Sequence, residues 1–106
     1  MITLYAGNDN TIFWRAMDQA TDGSWVNTAT VTVTLYNNAS GSAVAVTGAT
    51  GIVLDYVTDS NGKYVGVIPA TASLVVGDDQ TLVFTATANG HTGVINKPAQ
   101  VITRVS

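Results

Sequence analysis

Ala29-Thr30-Val31-Thr32-Val33-Thr34-Leu35-Tyr36 alternates apolar and polar residues at every step, and in an extended chain successive side chains take opposite sides. Val31, Val33 and Leu35 therefore share one face, and Thr30, Thr32 and Thr34 share the other. That is the pattern of a strand with one side on a core and the other toward solvent. β-Branched residues fill both faces, which suits a pleated surface and disfavours a helix. Asn37-Asn38-Ala39-Ser40-Gly41-Ser42 follows as a polar, glycine-containing turn.

The same alternation recurs on both sides of this stretch. Toward the amino end, Thr3-Leu4-Tyr5 reads as a short strand, Ala6 to Asn10 as a turn, and Thr11 to Met17 as a second strand with Ile12, Trp14 and Ala16 on one face. Asp22-Gly23 marks the next break, after which Trp25 is placed to lid one end of the core. Toward the carboxyl end, Ala43 to Val46 is a short strand and Ile52 to Val57 a stronger one. In the latter Ile52, Leu54 and Tyr56 point inward while Val53, Asp55 and Val57 point out.

Asp59-Ser60-Asn61-Gly62 is the clearest hairpin signal, with Asn61-Gly62 suited to a type I′ turn, so Lys63 to Ile68 is expected to return antiparallel. Pro69 cannot donate to a ladder and closes that strand. Residues 70–79 then read as a crossing connection. Gln80 to Ala88 resumes the alternation with Leu82, Phe84 and Ala86 facing in, Asn89 to Gly93 reads as a turn, and Val94-Ile95 with Val101 to Val105 makes a last strand interrupted at Pro98.

The 106 residues suffice for a single domain spanning 1–106 with one core. About seven short strands, spaced near the roughly 8–12 residues usual in sandwiches and with no helical periodicity, point to an all-β chain: an immunoglobulin-like antiparallel β-sandwich, with a small barrel as the alternative. The core is expected to hold Val31, Val33, Leu35, Leu54, Leu82 and Phe84.

Hydrophobic residues make up 46% of the chain and charged residues 10%, against about a quarter in ordinary domains. Threonine, serine, asparagine and glycine must therefore keep the surface wet. All seven acidic residues are Asp and the formal charge is −3, so no basic stripe exists to neutralise phosphates and nucleic acid is excluded as a partner. Cysteine is absent, which removes disulfides and thiolate metal sites. No basic leader precedes an apolar run, and no run approaches the ~20 residues of a membrane span. The chain reads as a complete, untargeted soluble product without a membrane partner, leaving a cell only within something larger or by lysis.

Candidate chemistry falls to elimination. His91 is the single histidine, between Gly90 and Thr92 in an expected turn, and it reads as an exposed loop residue. Neither a zinc site nor a Ser-His-Asp triad can be assembled around it, and no serine lies in a Gly-x-Ser-x-Gly elbow. Asp78-Asp79 and the Asp18/Asp22 pair have acid–base potential, but Asp at turns explains them. Asp9, Asp18, Asp22, Asp59 or Asp78 gathered at one end would offer calcium oxygen ligands, although no twelve-residue calcium loop is present. Most of Trp14, Trp25, Tyr5, Tyr36, Tyr56 and Tyr64 read as core, with Tyr36 on the threonine face the one expected outside. Lys63 reads as a solvated hairpin lysine in preference to one member of an isopeptide cross-link. The expectation is a protein with no catalytic activity, cofactor or required metal.

Gly7-Asn8-Asp9, then Ile12-Phe13-Trp14-Arg15 with Asp22-Gly23, then Ala29 to Tyr36 resemble immunoglobulin-like domains of tailed-phage virion proteins, of the capsid-decoration and baseplate or tail-fibre amino-terminal kinds. The run Gly62-Lys63-Tyr64 to Ile68-Pro69, followed by Leu74-Val75-Val76-Gly77-Asp78, is similar to the end of such domains. The chain departs from them at Gln80, which stands where a corner tyrosine is sought. The resemblance implies a virion structural protein made in the host bacterial cytoplasm, most simply a capsid decoration or cement subunit. Its partners would be other virion proteins, either the major capsid or tail and neck subunits, met in many copies or as a homo-oligomer. The alternative is a carbohydrate- or receptor-binding module of a phage tail, baseplate or bacterial surface protein. A surface with so few charges must dock through shape, apolar side chains and backbone pairing. Edge strands at the two termini are the expected places, with Thr3, Leu4, Tyr5, Val101, Ile102 and Arg104 as contact residues and Tyr36 on the threonine face.

Overall fold

A computed structural model describes residues 2–15, 29–58, 62–88 and 91–103. Among them the chain is all β, with eight strands: β1 (Ile2–Ala6), β2 (Asn10–Arg15), β3 (Thr30–Asn37), β4 (Val44–Ala45), β5 (Ile52–Tyr56), β6 (Lys63–Ile68), β7 (Gly77–Ala88) and β8 (His91–Thr103). They form one mixed sheet in the order β1-β8-β7-β3-β5-β6-β2, with β4 beside the end of β3, and the sheet is curled nearly into a barrel.

The organising strand behaves as its alternation requires. Val31, Val33 and Leu35 are fully buried, while Thr30 is exposed and Thr32 and Thr34 are half-buried. β7 runs beside β3 over its whole length, from Thr30 opposite Thr87 to Asn37 opposite Gln80. On the other side β3 meets β5 at Val31 to Val33 and β4 at Tyr36 and Asn37. All six expected core residues are buried, and Leu4, Tyr64, Ile68, Ala99 and Val101 join them.

The curl is produced in β5, which changes partner midway: Ile52 to Leu54 pair with β3, whereas Asp55 and Tyr56 pair with β6. Gly66 makes this crossing possible. A Cβ on it would lie 2.7 Å from the Val53 carbonyl oxygen and 3.2 Å from the Leu54 side chain, closer than packed atoms allow. Gly66→Ala is expected to cost about 1–3 kcal/mol through overpacking, measured as a fall in the urea midpoint. A midpoint equal to wild type would mean that β5 and β6 are not in contact there.

Several expectations need correction. The sheet is not purely antiparallel, because β1 runs parallel to β8 with Leu4 opposite Val101. Pairing at the termini needs no direct connection, so either direction is open to β1; in the one adopted Leu4 is buried, with Ile2 and Ala6 packed partly against the core. β7 starts at Gly77 instead of Gln80, with an irregularity between them. His91 is not in a turn: its backbone opposes Ala88, leaving Asn89 and Gly90 as the whole connection. β8 is continuous through Pro98. Proline is tolerated because β1 begins to pair only at Ala99, so β8 is still an edge strand at residue 98.

The β5–β6 hairpin forms as expected, with Gly62 at φ +85°. Asn61, Ala16 and Trp25 lie outside the described residues.

Candidate interaction surface

The outer side of the long sheet follows from the registers. Thr30, Thr87 and Thr92 form one rung across β3, β7 and β8. Thr32, Thr85 and Val94 form the next, then Thr34, Val83 and Asn96, and finally Tyr36, Thr81 and Pro98. None of these twelve positions carries a charge. Val94 is 61% exposed, and some of the threonines are tied down: Thr34 Oγ1 accepts from Gly51 N at 2.9 Å, Thr81 Oγ1 accepts from Asn38 Nδ2 at 3.1 Å, and the Thr87 and Thr92 hydroxyls lie 3.1 Å apart. Held hydroxyls and β-branched methyls make a stiff, uncharged, half-apolar plane.

The outer side of β2 and β6 differs. Ile12 and Trp14 face inward, so Phe13 between them faces out and is 58% exposed. Val65 stands directly opposite it and Lys63 on the diagonal, with Nζ 4.6 Å from the ring centroid. An ammonium over an aromatic face is a cation–π contact. Lys63 is thus half-buried against Phe13, where a solvated lysine was expected.

The expected contact residues separate. Leu4 and Val101 oppose each other in the core, 1% and 0% exposed, and their side chains are closed to any partner. Thr3, Tyr5 and Ile102 lie on the outer side, with Thr3 Oγ1 accepting from Gln100 Nε2 at 2.9 Å. Tyr36 is half-buried on the threonine plane. Arg104 lies outside the described residues. The carboxyl-terminal edge is not open where it was expected: from Ala99 to Thr103, β8 has β1 along its other side, and only His91 to Pro98 lack a second neighbour among the described residues.

Two side chains for which the sequence offered no hydrogen-bond partner shape the edges. Asn10 is buried; its Oδ1 accepts from Tyr5 N at 2.8 Å and its Nδ2 donates to Tyr5 O and Asn8 O, each at 3.0 Å. Its carboxamide replaces a backbone partner and joins the two ends of the sheet, β1 and β2. Gln80 is buried where the corner tyrosine was sought. Its Nε2 donates to Val75 O at 2.8 Å and Gly77 O at 3.2 Å, so a carboxamide holds the bend into β7. Asn10 follows Asn8-Asp9 and Gln80 follows Asp78-Asp79, so in sequence each reads as one more polar residue of a turn and nothing names its partner.

A cleft of about 370 Å³ opens beside β4, lined by Asn37, Ala39, Ser40, Val44 to Thr47, Ser73 and Val75. Hydroxyls, one carboxamide and methyl groups are what it offers; no acid–base side chain lines it. Asp9 Oδ1 accepts from Ala70 N at 2.7 Å, a structural bond, and Asp55, Asp78 and Asp79 are exposed. No group of three His, Cys, Asp or Glu gathers among the described residues; Asp18, Asp22 and Asp59 lie outside them. No helix among the described residues is long and apolar enough to cross a membrane.

No family model matches the chain, and neither the curated proteins nor the solved structures contain a match.

Proposed function

We propose that this chain is a non-enzymatic virion structural protein, a capsid decoration or cement subunit that joins a phage particle through protein–protein contacts. The observation that carries the reading is the uncharged plane of four rungs across β3, β7 and β8. Such a surface gives up little hydration on contact and relies on fit, and fit repeated over many symmetric copies turns weak contacts into firm attachment. The sequence resemblance to phage immunoglobulin-like domains supplies the particle. An immunoglobulin-like sandwich is part of the proposal. It is supported by the parallel first and last strands and by the change of partner in β5, which divides the strands into β1, β8, β7, β3 and β4 on one side and β5, β6 and β2 on the other.

Deleting Thr3 to Tyr5 would remove Leu4 from the core and test folding in place of docking. Val94→Asp is the cleaner probe, since Val94 is 61% exposed on the plane and a carboxylate there must be desolvated on contact. Its copy number in purified particles is expected to fall about tenfold or more, while Thr71→Lys, on an exposed connection, is incorporated normally. Normal incorporation of Val94→Asp overturns the decoration reading. Normal incorporation together with lost attachment to host cells assigns the chain to receptor binding.

A further inference from the structure

At the margins of the sheet β1, β8, β4 and β2 each have an edge with no strand beside it among the described residues, and on the first three that edge is blunted. On β1, both the N–H and the C=O of Tyr5 are held by the Asn10 carboxamide. On β8, the open length carries Lys97 on the core-facing side, opposite buried Leu82, and ends at Pro98. An inward charge and a proline are devices that discourage an added strand. β4 is two residues long.

β2 has none of these beyond Asn10 itself. Its six residues pair with β6 without a bulge, from Asn10 opposite Ile68 to Arg15 opposite Lys63. Beyond the Asn10 clasp, Thr11-Ile12-Phe13-Trp14 contains no proline and no charge, and Phe13 is the most exposed aromatic of the described residues.

We infer that a second copy of this chain pairs here, β2 against β2, antiparallel about a two-fold axis. The strand is electrically polar: Asp9 precedes it and Arg15 ends it. Antiparallel self-pairing sets each acidic end beside the basic end of the other copy, twice over, whereas parallel pairing would oppose like charges. Directly opposite residues share a face, so Phe13 stands against either Phe13 or Thr11 of the other copy. In both registers the two rings adjoin on one outer surface, next to Val65. Five added residues span about 17 Å, and the contact is smaller than the roughly 1,600 Å² of a standard interface. It is therefore a weak, reversible dimer, of the kind that multiple copies make effective. The inference deepens the assembly reading above and rests on it for its biological use, but the test needs no particle.

Sedimentation velocity of the purified full chain across a concentration series is expected to show a reversible monomer–dimer equilibrium. Phe13→Lys is expected to raise the dissociation constant about tenfold or more, with a circular dichroism melt confirming that the variant is folded. Val94→Lys is expected to leave the dimer intact. Arg15→Asp, which sets like charges beside each other across the two-fold axis, is expected to weaken it. A wild-type chain that is monomeric throughout, or a dimer that survives Phe13→Lys and is lost in Val94→Lys, overturns the inference. Particle copy number of Val94→Asp is read separately, so that the decoration reading stands or falls independently.

Discussion

Replacing Phe84 by alanine lowers the unfolding free energy by about 3–5 kcal/mol, the range for emptying a buried aromatic site. Phe84 is 1% exposed, opposes Val33 on β3 and Ile95 on β8, and stacks on Trp14 of β2 with ring centroids 6.0 Å apart and planes 12° apart. It is the tie between the middle of the sheet and the far strand that curls over it. Stacking adds about 0.5–1.5 kcal/mol to simple burial, so the loss belongs toward the upper part of the range. A small domain has only about 5–15 kcal/mol in all. Urea melts followed by tryptophan fluorescence measure the loss, and Phe84→Leu, which leaves a smaller void, is expected to lose less. A midpoint shift within error for Phe84→Ala would mean that its side chain does not fill the core.

Asn10→Ala comes next, with an expected loss of about 2–4 kcal/mol. The substitution removes three hydrogen bonds at one place, and a buried donor or acceptor left without a partner costs about 1–3 kcal/mol. Tyr5 N–H loses the Asn10 Oδ1 acceptor. Tyr5 C=O keeps a longer bond from Asn8 N at 3.3 Å, which moderates the loss. Asn10→Asp is not a rescue: a carboxylate can accept from Tyr5 N but cannot donate to Tyr5 O and Asn8 O, and it sets negative oxygen against both. Thermal melts give the stability, and amide exchange at Tyr5 gives the location, with faster exchange expected there in Asn10→Ala. Unchanged exchange would show that the clasp does not hold β1.

The candidate surface was half legible. Thr30, Thr32 and Thr34 could be assigned to one outer face because alternation is a property of a single strand. That Thr85 and Val94 extend their rung could not be read, because the β7–β8 register depends on the Asn89-Gly90 connection being two residues long. Phe13 was legible and overlooked: once Ile12 and Trp14 face in, the residue between them must face out. The contact role expected for Leu4 and Val101 failed for the complementary reason, since a terminal strand reads as an edge until its partner is known, and here each terminal segment covers the other.

Local periodicity determined by itself that the chain is all β, and which side of β3, β5 and β7 is buried. It could do so because side-chain direction in an extended chain follows from position alone, and burial of one face then excludes a one-residue slip. Only the tertiary structure decided that β1 lies parallel to β8, that β5 leaves β3 for β6, and that the Asn10 and Gln80 carboxamides take up backbone groups. Those outcomes depend on contacts between residues distant in sequence, where several pairings satisfy the same alternation and packing of the whole core selects among them.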